Sequence, residues 1–329
     1  MWVCSFFGMG LKYAEVKISL NKRRSVGNKL LGGAHIRLFD MGYKMLSVLF
    51  CIFCVLCSFG TGNLTQVGAI SSFLASLGMK KQFSAVVCVL LISLAVFGGR
   101  TRIAKVNTFL VPISSAVYIL VCVVIIATNI ENVPSVFSEI IGSAFGFSSI
   151  AGGFSGAIVS KTLREGFVRS IFSNEAGMGS SSLAHASADT ENVGIQAEWG
   201  IFEIFFDTFV VSTLTAFCLL SVKSESVSFL FSSVFGAPGF WLFGILSAVF
   251  AFASVISWCF YAECCLSFLF KKSDIPKTVY RILFSLSAVF GVLLSVTAIW
   301  EIADILNALM MLPNMFLMYR CRNEIERIN

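Results

Sequence analysis

Apolar runs long enough to cross a bilayer recur along nearly all of this 329-residue chain, and that feature leaves few folds open to it. A spanning helix needs about 20 predominantly apolar residues. Within hydrocarbon every backbone N–H and C=O must find its partner inside the protein, so only helices and closed barrels are admissible. None of the runs shows the alternation over roughly ten residues that a barrel strand requires. With 57% hydrophobic and 13% charged residues and a mean hydropathy of +0.87, the chain has too little polar surface to cover a soluble globule. We read it as an all-α integral membrane protein, one transmembrane domain over residues 1–329.

Hydropathy and loop charge together predict about nine spans, at residues 1–16, 45–75, 83–98, 106–127, 149–188 (broken), 196–222, 234–270, 282–299 and 302–319. Basic residues sort to one side: Lys22, Arg23, Arg24 and Arg37 after the first span, then Arg100, Arg102 and Lys105, then Lys271, Lys272 and Lys277, then Arg320 and Arg322. Lys80, Lys81 and Lys223 fall on the other. The positive-inside rule puts the larger set, and the C-terminus, in the cytoplasm of a multi-pass protein of the cell (cytoplasmic) membrane. The net charge of +6 therefore sets topology and does not point to nucleic acid. Met1 falls on the outer side, and MWVCSFFGMG lacks the basic start and cleavage site of a signal peptide. The chain reads as if its beginning were missing.

The stretch Ser173-Asn174-Glu175-Ala176-Gly177-Met178-Gly179-Ser180 is polar and glycine-bearing inside an otherwise apolar region. We expect a membrane helix to break there, which hydrocarbon tolerates only around a protein-enclosed cavity or a ligand. The two half-helix ends present opposite partial charges, so a zwitterionic amino acid suits both. A kink needed only for helix packing is the competing reading. Gly60-Thr61-Gly62-Asn63-Leu64-Thr65-Gln66 is a second polar cluster. Burying an amide unpaired costs several kcal/mol, so Asn63 and Gln66 need either a neighbouring helix or a substrate. Glu203 and Asp207, four residues apart, suggest a proton relay or a structural pair facing polar residues of the bundle interior, and Glu263 and Asp304 lie near the ends of later spans. Neither HExxH, G-x-S-x-G nor a Walker loop occurs, so no enzyme class is supported.

Eleven cysteines include Cys51, Cys54 and Cys57 at the spacing of an iron–sulfur run. They fall within one apolar helix, and His35 and His185 are expected far from each other and from these thiols. Buried thiols acting as small hydrophobes are the simpler account, and no cofactor is expected.

SNEAGMGSSSLAHASA followed by FEIFFDTFVVSTLTA closely resembles the alanine or glycine:cation symporter family, and MWVCSFFGMGLKYAEV, GTGNLTQVGAI and EIADILNALMMLPN extend the likeness over nearly the whole chain. The resemblance implies a partial LeuT-type inverted-repeat helical bundle, with residues 1–148 the remainder of a first repeat lacking its broken first helix and residues 149–329 a second repeat. It implies a secondary active transporter that carries alanine or glycine across the membrane by alternating access, with sodium ion as coupling ion, a role a proton could also fill. By the same resemblance Gln66, Phe167, Ile171, Asn174, Gly177, Gly179 and Trp258 surround the substrate, and Ala251 and Ser254 contribute to a sodium site. Family members carry two further spans ahead of the point where this chain starts. Glu175 and the freed backbone are therefore expected to face lipid or an empty slot. The chain would then be an inactive or half-transporter remnant, or would need a separately encoded N-terminal fragment.

Overall fold

The computed structural model describes residues 1–26, 29–97, 100–145, 155–271 and 273–325. The first helix, α1 (Trp2–Asn21), leads into a short antiparallel hairpin of β1 (Arg24–Val26) and β2 (Lys29–Leu31). That hairpin is one departure from an all-helical chain. Helices α2 (Ala34–Asp40), α3 (Lys44–Cys57) and α4 (Thr65–Ser76) follow, with a π-helical segment, Ser58–Leu64, joining the last two into one long span. Then come α5 (Lys81–Phe97), α6 (Arg100–Thr128) and α7 (Val133–Phe145). Beyond the undescribed residues 146–154, where the expected boundary between repeats falls, lie α8 (Ser155–Asn174) and α9 (Ser180–Ala186). α10 (Val193–Ile204) runs through a π-helical segment, Phe205–Ser212, into α11 (Thr213–Val222). The chain finishes with α12 (Val227–Leu269), α13 (Ile275–Leu293) and α14 (Val296–Ile325).

Among the described residues six helical stretches are long and apolar enough to cross a membrane: Lys44–Ser76, Thr108–Thr128, Val193–Val222, Val227–Leu269, Ile275–Leu293 and Val296–Ile325, with Lys81–Phe97 a shorter apolar helix. α1 falls outside that set because it buries Lys12, Glu15 and Lys17 within the bundle. α8 falls outside it because it carries Lys161, Arg164, Glu165 and Arg169, and α9 because it is only seven residues long. In α12, Gly236 turns the backbone at φ 63° and ψ −143° and Pro238 follows, so the membrane-length segment begins after that bend, near the expected residue 234. The turn expected between residues 299 and 302 is displaced. It lies at Leu294–Ser295, where Leu294 is extended and the Ser295 hydroxyl accepts from the Ala298 N–H at 3.2 Å. The polar Glu301 belongs to helix α14, not to a loop.

Two apolar cores are the largest of the four among the described residues. One joins α2, α3, α12 and α14 through Leu38, Phe50, Cys54, Trp258 and Met310; the other joins α4, α5, α12 and α13 through Val67, Ile92, Val255 and Phe284. The outer face of α5 shows Val86, Leu90 and Leu94 at 58–65% exposure, one per turn, as a lipid-facing row requires. Several polar groups on the inner faces bond between helices. Asn63 donates to the Phe284 carbonyl at 2.5 Å and to Ser287 Oγ at 2.8 Å, while Thr61 and Cys57 donate to Asn307 Oδ1 at 2.7 and 2.8 Å. Of the readings open to Asn63, interhelical bonding is the one the structure displays. Glu263 pairs with Arg281 Nε at 2.7 Å, and Asp304 with Arg169 at 2.5 Å, so both acids near span ends link neighbouring helices.

The two histidines are not both remote from the thiols. His35 lies beside Cys51, because the turn after α2, with Gly42 at φ 88°, packs α2 against α3.

Gly62 lets α12 approach: a Cβ there would sit 2.3 Å from Trp258 Cβ, whereas a Cβ at Gly10 meets nothing within 4 Å. Gly62→Ala should lower stability by about 1–3 kcal/mol through overpacking, and Gly10→Ala should leave it unchanged or raise it by up to about 1 kcal/mol. Thermal unfolding of the two variants in one detergent measures the contrast.

Candidate functional site

Helix α8 ends at Asn174. Glu175 then takes φ 51°, Gly177 φ 90° and Gly179 φ 76°, and α9 begins at Ser180. Three left-handed residues in five cannot continue a right-handed helix, and glycine adopts two of them without the steric cost of a Cβ. The opening is not in bulk solvent, since Asn174, Ala176, Met178 and Ser180 are all buried.

The carbonyls freed by the break are claimed by side chains from the two ends of the chain. Lys12 Nζ on α1 donates to the Asn174 carbonyl at 3.0 Å. Asn314 on α14 donates to the Gly177 carbonyl at 2.9 Å and to Glu15 Oε1 at 2.5 Å. The Gly179 carbonyl accepts from Ser182 Oγ at 2.6 Å, and Ser180 Oγ donates to Glu175 Oε2 at 2.6 Å. The expectation that the freed backbone lies against lipid or an empty slot is therefore corrected for the Asn174 and Gly177 carbonyls, which α1 and α14 meet, while Glu175 is bonded by Ser180 and borders a cavity.

Beside the break is a polar cavity of about 240 Å³. Lys12, Glu175 and Ser181 line it, with Glu203 and Asp207 from the α10 span and Tyr261 from α12. It opens on one side, where the Glu203 side chain is 49% exposed. Glu203 Oε2 stands 3.2 Å from His185 Nε2 and 3.9 Å from Lys12 Nζ. Gln196 Nε2 lies 2.9 Å from His185 Nδ1, so the imidazole is held between Gln196 and Glu203. Asp207 accepts from Ser173 Oγ. Glu203 and Asp207 thus face polar residues of α1, α8 and α9. Ser181 Oγ is buried and has no hydrogen-bond partner. One cation, three carboxylates and an unpartnered hydroxyl suit a small ligand bearing both charges, or a ligand accompanied by a cation.

Of the residues expected at the site, Asn174 lines this cavity. Its side chain, however, is engaged elsewhere, donating to Ser5 Oγ at 2.7 Å and Ser170 Oγ at 3.1 Å and accepting from Thr208 Oγ1 at 2.9 Å. Gly177 and Gly179 form the break itself. Trp258 adjoins the Glu175 carboxylate and stands edge-on to Tyr261 at 5.5 Å, and Ile171 packs in the same core. Gln66 bonds to Thr65 Oγ1 and the Thr61 carbonyl on its own helix, and Phe167 is 48% exposed on α8. Ala251 is buried in the apolar core between α4, α5 and α13, with Ser254 half-buried one turn further on. Lys12 was legible only as a lysine inside an apolar run, which is itself a functional signal. Tyr261 carried none.

Comparison with known proteins agrees with this architecture. Residues 1–327 match the sodium:alanine symporter family. The sodium/alanine symporter AgcS of Methanococcus maripaludis is 33% identical over 96% of this chain and 72% of its own length. The amino-acid carrier protein AlsT of Bacillus subtilis is 30% identical over 100% and 71%, and the sodium/proton-dependent alanine carrier protein of Bacillus sp. is 28% identical over 93% and 74%. None of these matches lends support to a separately encoded N-terminal fragment. A multi-pass helical protein with a buried helix break, matched along its length in this way, belongs to the sodium:alanine symporter family.

Proposed function

We propose that this chain is a sodium-coupled carrier of alanine or glycine in the cytoplasmic membrane, with its C-terminus inside, working by alternating access about the break between α8 and α9. The observation that carries the reading is the buried break whose carbonyl is held by Lys12 at 3.0 Å beside a cavity of about 240 Å³, a size suited to a small amino acid. Lys12 would meet the substrate carboxylate, and Glu175, Glu203 and Asp207 its ammonium group or the coupling cation. By family resemblance Gln66, Phe167, Ile171 and Trp258 complete the substrate enclosure in the transporting state, and Ala251 and Ser254 contribute to the sodium site. The same resemblance makes the bundle a LeuT-type pair of repeats, residues 1–148 and 149–329. Coupling follows if the cation-bound site holds the amino acid better than the empty one, and linkage requires the converse.

Sodium-driven uptake of labelled alanine into proteoliposomes tests this directly. Uptake should collapse when choline replaces sodium outside, and excess glycine should compete. Lys12→Met should reduce uptake at least about tenfold, equivalent to about 1.4 kcal/mol or more, because it removes the cation and orphans the Asn174 carbonyl. Uptake indifferent to sodium, or untouched by Lys12→Met, would sink the assignment.

Ser181 gives a sharper check. Its hydroxyl has no partner within the protein, so Ser181→Ala breaks no internal hydrogen bond. A lost hydrogen bond to ligand is worth about 1 kcal/mol, so the half-saturating concentration of alanine or sodium should rise about fivefold while the unfolding midpoint stays put. A fall in stability with unchanged affinity would remove Ser181 from the site.

A further inference from the structure

Away from the break, under α2, the fold gathers three soft ligand groups. A ring nitrogen of His35 on α2 and the thiols of Cys51 on α3 and Cys265 on α12 all lie within 4.8 Å of one another. Exposure is 1% for His35 and 0% for each cysteine. The imidazole plane is fixed by a stack on Phe50 at 6.1 Å and an edge contact with Phe268 at 4.9 Å. Its Nδ1 is buried without a hydrogen-bond partner. A neutral imidazole is the form that donates a lone pair to a metal. Cys54, one turn along α3, also adjoins the Cys265 thiol.

We propose that His35, Cys51 and Cys265 form a Zn2+ site. Thiolate and imidazole donors select zinc or monovalent copper over the hard cations that oxygen binds, so the site is chemically distinct from a sodium position. Charge decides between the two soft ions. Zn2+ with two thiolates and a neutral imidazole sums to zero, whereas Cu+ in the same set leaves a net negative charge buried among apolar groups, which is costly. The metal would fasten α2 to α3 and α12. Entry is local, since α2 is only seven residues long and displacing it uncovers the thiols.

The test uses the full chain, purified in detergent under reducing conditions and stripped with chelator. Titration with Co2+ should give thiolate-to-metal charge-transfer absorption with the intense visible bands of tetrahedral cobalt, saturating at one ion per chain and abolished by Zn2+. Cys265→Ser and His35→Ala should lose the signal; Cys57→Ser, whose thiol bonds Asn307 instead, should keep it. A readout on the unmodified chain guards against variants that do not fold: Zn2+ should slow alkylation of Cys51 and Cys265, followed by mass spectrometry, while Cys4 reacts at its metal-free rate. Absent cobalt bands, bands that survive Cys265→Ser, unprotected thiols, or Cu+ binding that Zn2+ cannot displace would each overturn the assignment.

Discussion

A helix opened inside hydrocarbon exposes carbonyls that no water can satisfy, and each left unpaired costs several kcal/mol. In this protein the side chains of Lys12 and Asn314 meet that demand, at the Asn174 and Gly177 carbonyls. The rest of the bundle follows from keeping these two groups in place. α1 must bury a lysine, so it packs closely on α9 and α10. α14 must present Asn314 at the same depth, and Glu15, sharing that amide, ties α1 and α14 to each other.

The same logic operates at lower cost elsewhere. Where the α3–α4 span carries Thr61, Gly62 and Asn63, the helix widens into a π turn, and its polar groups reach α13 and α14. The second π turn, at Phe205–Ser212, carries Asp207 and Thr208 into the cavity and into the Asn174 network. π turns inside α-helices concentrate at functional positions, and both of these fall where an apolar helix takes on polar residues.

How much of this was legible in the sequence depends on the range of the interaction. The break could be read because its signal is local: glycines and polar residues crowded into one apolar run, with Gly177 and Gly179 at positive φ. The spans from α3 to α6 and from α10 to α12 could be read from hydropathy, with the end of α12's bend near the expected residue. The turn expected between residues 299 and 302 lies earlier, because the helix starts at Val296 on a Ser295 cap. What closes the break was illegible, since it depends on contacts between the chain's two ends. The meeting of His35 with Cys51 was illegible for a related reason: it is made by the packing of α2 against α3.

The separation of those partners along the chain has a consequence for biogenesis. Lys12 is inserted 162 residues before its carbonyl partner is synthesised, and Asn314 arrives 137 residues after the carbonyl it holds. An intermediate that holds α1 but not yet the break carries Lys12 without its carbonyl partner, and one that holds the break but not α14 leaves the Gly177 carbonyl bare. The network closes only when α14 joins the bundle.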